Sequence, residues 1–124
     1  MLINSNHFDS VGKFSDKYFL FWEEIDLCRR FYKKKLSVII NFKAKADHVG
    51  GGSSKFTIST FFVRTYHNEI SPLYYFNIKK NSIHLYKNML KYLFRSFSYL
   101  IIFNFKNSLK NIAKLFANVS FLLK

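Results

Sequence analysis

Two hydrophobic spacings alternate along the chain, and together they assign an element to most of it. Phe21, Ile25, Cys28 and Tyr32 recur at intervals of four, three and four, which stacks them on one helical face. Ser15 or Asp16 can cap that helix, which is expected to run to about Lys34. Glu23, Glu24 and Asp26 come before Arg29, Arg30 and the Lys33 to Lys35 run, an order that complements the helix dipole. The period then shortens. Leu36, Val38, Ile40 and Phe42 alternate with other residues, as do Phe56, Ile58 and Phe62, and both stretches read as strands. Gly50-Gly51-Gly52-Ser53-Ser54 lies between them and suggests the loop of a hairpin. Pro72, the sole proline, marks a break before Leu73 to Phe76.

A helical period returns from Lys80 to Phe97. Ile83, Tyr86, Leu90, Leu93, Phe94 and Phe97 share one sector and are expected to enter a core. Lys80, His84, Lys87, Lys91 and Arg95 fall in a neighbouring sector about 80° wide at about 100° per residue. A strand is expected over Tyr99 to Phe105. A last helix follows from about Ser108, burying Leu109, Ile112, Ala113, Phe116, Val119 and Leu123. The order helix, strand, strand, helix, strand, helix predicts an α+β fold: a three-stranded sheet covered by helices on one face. Residues 1–13 form a polar extension, and 14–124 a single domain.

Charge narrows the class of partner. The formal net charge is +13, the pI is near 9.9, and all seven acidic residues lie between Asp9 and Glu69. From Ile70 to Lys124 there are nine Lys or Arg and no acid. A field of one sign over half a small protein attracts a polyanion. RNA and an anionic membrane surface are the two partners of that kind. A solvated helix face kept for solubility would mix signs and gain Glu–Lys pairs at four-residue spacing.

Other chemistries find little footing. One cysteine, Cys28, excludes an internal disulfide and a cysteine zinc site, and His7, His48, His67 and His84 have no ligand spacing. The Gly50 to Lys55 stretch lacks the spacing of a phosphate loop. Glu23 and Glu24 are neighbours on a helix, point about 100° apart and do not converge on a substrate. Asn118-Val119-Ser120 fits a glycosylation sequon but lies within an expected helix. No catalytic residue, metal site, cofactor or small-molecule substrate is expected. The longest apolar run, Tyr99 to Phe103, is far short of the roughly eighteen residues of a membrane span. Phe 16, Tyr 8 and sixteen Lys against four Arg match the output of A/T-rich codons. An organelle genome would give that bias, as would an A/T-rich nuclear or bacterial gene. Without an arginine-bearing leader at the start, synthesis inside the organelle is expected.

Four segments in order resemble the N-terminal part of small-subunit ribosomal protein S-three. Phe14-Ser15-Asp16-Lys17 is similar to the family's entry to its first helix. Glu23-Glu24, Arg29-Arg30-Phe31 and Lys33 to Leu36 resemble the rest of that helix. Lys55-Phe56-Thr57-Ile58-Ser59-Thr60 is similar to the central strand. Leu100 to Asn104, Leu109 and Ala113-Lys114-Leu115-Phe116-Ala117 resemble the last strand and helix. The resemblance implies a type II KH-like domain, an N-terminal helix and rRNA binding in the head of the mitochondrial small subunit. In KH domains a GxxG loop grips RNA. The corresponding stretch here, Asn77 to Asn81, keeps Lys79 and Lys80 but has no glycine. The family's C-terminal domain has no counterpart in this sequence, so either a separate chain supplies it, as a partner beside rRNA and other small-subunit proteins, or it has been lost. The RNA contacts expected are Lys79, Lys80, Asn81, Lys87, Lys91 and Arg95. Arg64 and the cluster Lys33, Lys34 and Lys35 form a second area. The alternative class is an accessory structural subunit of an inner-membrane respiratory complex, since a basic amphipathic helix can lie on a membrane.

Overall fold

The computed structural model describes residues 2–47, 55–80 and 82–124, and every regular element among them is a helix. These are α1 (Ser5–Ser10), α2 (Glu23–Lys33), α3 (Ile58–Tyr75), α4 (Ile83–Ile101) and α5 (Phe105–Leu123). The expected α+β fold, with its three-stranded sheet and type II KH-like layout, is thereby corrected: no described residue lies in a strand. The chain divides into two compact units, Met1–Lys55 and Phe56–Lys124.

Each strand expectation fails for a local reason. Residues 36–42 are irregular, with Val38, Ile39, Ile40 and Phe42 between 54% and 90% exposed, and an alternating run with no ladder partner forms no sheet. The glycine-rich connection at 50–54 falls outside the described residues. The alternation around Phe56 is overridden by a cap. The Thr57 hydroxyl accepts from the Thr60 N–H at 3.1 Å, and the Thr60 hydroxyl accepts from the Thr57 N–H at 2.9 Å. This reciprocal pair satisfies two orphan donors and starts α3 at Ile58. The helix then runs through Pro72, the expected break, which gives up its own bond to the Asn68 carbonyl, and ends three residues later at Tyr75. Tyr99 to Phe105 holds the last turn of α4, a reversal, and the start of α5. A short apolar run has the same composition in a buried strand and in a helix end.

Four helices terminate by one device, in which a left-handed residue lets two amides reach back to the last carbonyls. The left-handed residues are Gly12, Lys35, Asn77 and Phe103. The long bonds run from Lys13 to Phe8, Leu36 to Phe31 and Ile78 to Leu73, each at 3.0 Å, and from Asn104 to Tyr99 at 2.8 Å. Phe103, at φ 55°, is the least suited of the four, since a left-handed bulky residue costs roughly 1 kcal/mol or more. Phe103→Gly is therefore expected to stabilise the chain by about 1 kcal/mol, read as a rise in the circular-dichroism melting temperature. A fall would show that this turn is not left-handed at Phe103.

In the first unit, Val11, Leu27 and Phe31 are buried, with Ile3, Phe8 and Leu36 packed against them. Helix α2 begins at Glu23, not near Ser15, because Phe21 and Trp22 are both left-handed and no helix passes through them. Its buried face is correspondingly Leu27 and Phe31, while Ile25 and Tyr32 of the expected face are exposed.

In the second unit, α5 packs against both α3 and α4. The core is Ile70, Leu73, Leu85, Ala117 and Phe121. Small residues set the α4–α5 approach: Ala113 and Ala117 are fully buried, and the Ser108 hydroxyl donates to the Ser96 carbonyl at 3.1 Å. That close seam rotates α4 away from the expected orientation. Leu85, Tyr92 and Ser96 face inward. Ile83, Tyr86, Leu90, Leu93, Phe94 and Phe97, expected in the core, are instead between 41% and 71% exposed. Of the expected α5 face only Ala113 is buried, while Phe116 and Leu123 are exposed.

Candidate nucleic-acid interface

Lys87, Lys91 and Arg95 follow one another at four-residue spacing on α4, and all three are exposed. That spacing lines them up along one stripe of the helix. Lys91 Nζ donates to Asn88 Oδ1 at 3.1 Å and lies 4.8 Å from the centroid of the Tyr92 ring. Lys79 and Lys80 are exposed in the connection before α4, and Asn81 lies outside the described residues. Asn77 at the start of this connection is left-handed, yet its conformation closes α3. Arg64 is exposed on α3. Lys33, Lys34 and Lys35 belong to the other unit, where they end α2; Lys34 Nζ donates to the Ser10 carbonyl. Of the expected contacts, Lys87, Lys91 and Arg95 share one exposed stripe of a single helix.

The electrostatics of Phe56–Lys124 turn on one residue. This unit has ten Lys or Arg, and Glu69 is its single carboxylate side chain. Glu69 sits on α3 and ties the other two helices to it. Its Oε1 accepts from the Tyr92 hydroxyl of α4 at 2.7 Å and from Asn118 Nδ2 of α5 at 3.4 Å. Its Oε2 pairs with Lys114 Nζ of α5 at 3.1 Å. Burial, reinforced by Glu69, pushes the Tyr92 hydroxyl well above the usual tyrosine range, so Tyr92 keeps its proton and donates. The only acidic side chain of the unit is thus held in a bridge between helices, and the exposed charged side chains are cations.

Reasoning from sequence missed a second group of residues. Asn107, Lys110, Asn111 and Lys114 stand at helical spacing along α5, opposite Tyr92, Arg95 and Tyr99 of α4, and the two sets line a cleft of about 150 Å³. The polar spacing of Asn107-x-x-Lys110-Asn111-x-x-Lys114 was the available signal, masked by an apolar period in the same helix. Beside this cationic surface lies the bare apolar stripe of α4, with Ile101 also 77% exposed at its end.

Among the described residues no group of three His, Cys, Asp or Glu side chains is placed to hold a metal ion. No helix among them is long and apolar enough to cross a membrane. No family model, no curated protein and no solved structure matches the chain.

Proposed function

We propose that this chain is a structural, RNA-binding protein of the mitochondrial small ribosomal subunit, working in the matrix and in contact with rRNA in the head. The observation that carries the polyanion reading is the pairing of Glu69 with Lys114, which leaves the Phe56–Lys124 unit nine other cations and no unpaired acidic side chain. Lys87, Lys91 and Arg95 form the principal phosphate contact, with Lys79 and Lys80 beside it and Arg64 as a further cation. Such a surface resists self-association and favours a phosphate backbone. The ribosomal setting rests on the four sequence segments similar to ribosomal protein S-three, and the helical architecture lends that resemblance no support. The bare apolar stripe of α4 fits a protein neighbour, either another small-subunit protein or a separate chain carrying the family's C-terminal domain.

The same stripe favours a second reading, an accessory subunit held against an inner-membrane complex, because basic residues border an apolar helix face. Titration of the full chain with a labelled single-stranded RNA at rising KCl separates the two. RNA binding should weaken steeply with salt, by roughly 0.7 in the log–log slope for each phosphate contact. Binding only to anionic lipid vesicles, with none to RNA, would overturn the RNA reading.

A further inference from the structure

We infer that the α4–α5 cleft is a seat for a single backbone phosphate of RNA, with Arg95 and Lys110 as its two charged jaws. The inference rests on the RNA reading above and adds to it a concave subsite that the convex Lys87–Lys91 stripe does not supply.

The geometry comes from two helices at once. Arg95 stands one turn from Tyr92 and from Tyr99 on α4, and Lys110 stands one turn from Asn107 and Lys114 on α5. Their charges are not equivalent to that of Lys114, which shares the wall. Lys114 pairs with Glu69 and lies 5.2 Å from the Tyr92 ring centroid, so its charge is neutralised locally. Among the described residues neither Arg95 nor Lys110 has a carboxylate within ion-pair distance. Two unpaired cations therefore face a recess with one internally balanced pair at its side. Asn111 contributes an amide that already donates to the Asn107 carbonyl at 2.7 Å, which fixes its orientation and leaves its second N–H for a ligand.

A solvent-open cleft of about 150 Å³ has room for one phosphate group. The guanidinium of Arg95 can take two phosphate oxygens in parallel, and the Lys110 ammonium acts as a point charge on the third side. Tyr99 also lines the recess and offers a ring on which a flanking ribose or base can rest.

The test uses the full chain, its Lys110→Ala and Arg95→Lys variants, and the labelled single-stranded RNA. A parallel titration with inorganic phosphate follows the side-chain amide NMR signals of Asn107 and Asn111. Lys110→Ala should weaken RNA binding roughly fivefold and lower the log–log salt slope by about 0.7. Arg95→Lys keeps the charge, so it should leave the slope in place while affinity falls through loss of the paired contact. Phosphate should shift the two amide signals in the wild type and lose that effect in Lys110→Ala. Wild-type RNA affinity and slope in Lys110→Ala, with amide signals insensitive to phosphate, would overturn the cleft and leave the RNA reading standing. No RNA binding by the wild type, with amide shifts produced by phosphatidylglycerol vesicles, would overturn both.

Discussion

Glu69→Ala is expected to lower the melting temperature by on the order of 10 °C. The substitution leaves the half-buried Lys114 ammonium without a counter-charge and removes the acceptor of the Tyr92 hydroxyl. Stranding those groups costs about 2–3 kcal/mol, and about 1 kcal/mol moves the midpoint of a unit this size by roughly 4–8 °C. The effect is structural: α3, α4 and α5 lose a side chain that bonds all three. Glu69→Gln keeps an acceptor for Tyr92 but not the ion pair, so its loss should be smaller than that of alanine. The Asp9–Lys13 pair provides the contrast. Both side chains are more than 60% exposed at a separation of 3.5 Å, and Asp9→Ala should change the midpoint little. Equal midpoints for Glu69→Ala and the wild type in a thermal melt would contradict the bridge.

The second large effect is on binding. Replacing Lys87, Lys91 and Arg95 together by alanine removes three contacts from one stripe and should lower the log–log salt slope for single-stranded RNA by about 2. At moderate salt that corresponds to an affinity loss on the order of a hundredfold. All three side chains are exposed and alanine is the best helix former, so the far-ultraviolet circular dichroism should be unchanged. Unchanged affinity and slope would remove the stripe from the interface.

Helices α2, α4 and α5 are legible in the sequence in part, whereas α1 and α3 are not, and the expected sheet does not form for identifiable reasons. The helix expected over 80–97 is α4, which starts at Ile83 and extends to Ile101, and the last helix begins at Phe105, three residues before its expected start. The hidden information was orientation. Leu85, Tyr92 and Ser96 form a weaker apolar pattern than Ile83, Leu90, Phe94 and Phe97, yet they face inward because Ser96, Ser108, Ala113 and Ala117 let two backbones close together. Hydrophobicity alone ranks the bulky stripe as core, whereas close helix approach selects the small residues. The Thr57–Thr60 cap was present in the sequence but lay inside a run that alternates like a strand. Phe103 gave no composition signal for a left-handed turn, since glycine or asparagine is the usual residue there.

The basic stripe was readable because charge and a helical period coincide from Lys87 to Arg95. The cleft was not, because Arg95 and Lys110 are brought together by the α4–α5 reversal, and that reversal lies in a segment whose apolar run predicts a strand. Nor could sequence show that Glu69 is enclosed. Its position as the last acid before an acid-free stretch was visible, but its three partners come from two other helices.

The most direct measurement is sedimentation of mitochondrial lysate through a sucrose gradient at moderate salt, following this chain by mass spectrometry. The account predicts that it peaks with the small ribosomal subunit and is released as salt rises. Recovery with an inner-membrane complex, absent from the ribosomal fractions at every salt concentration, would contradict it.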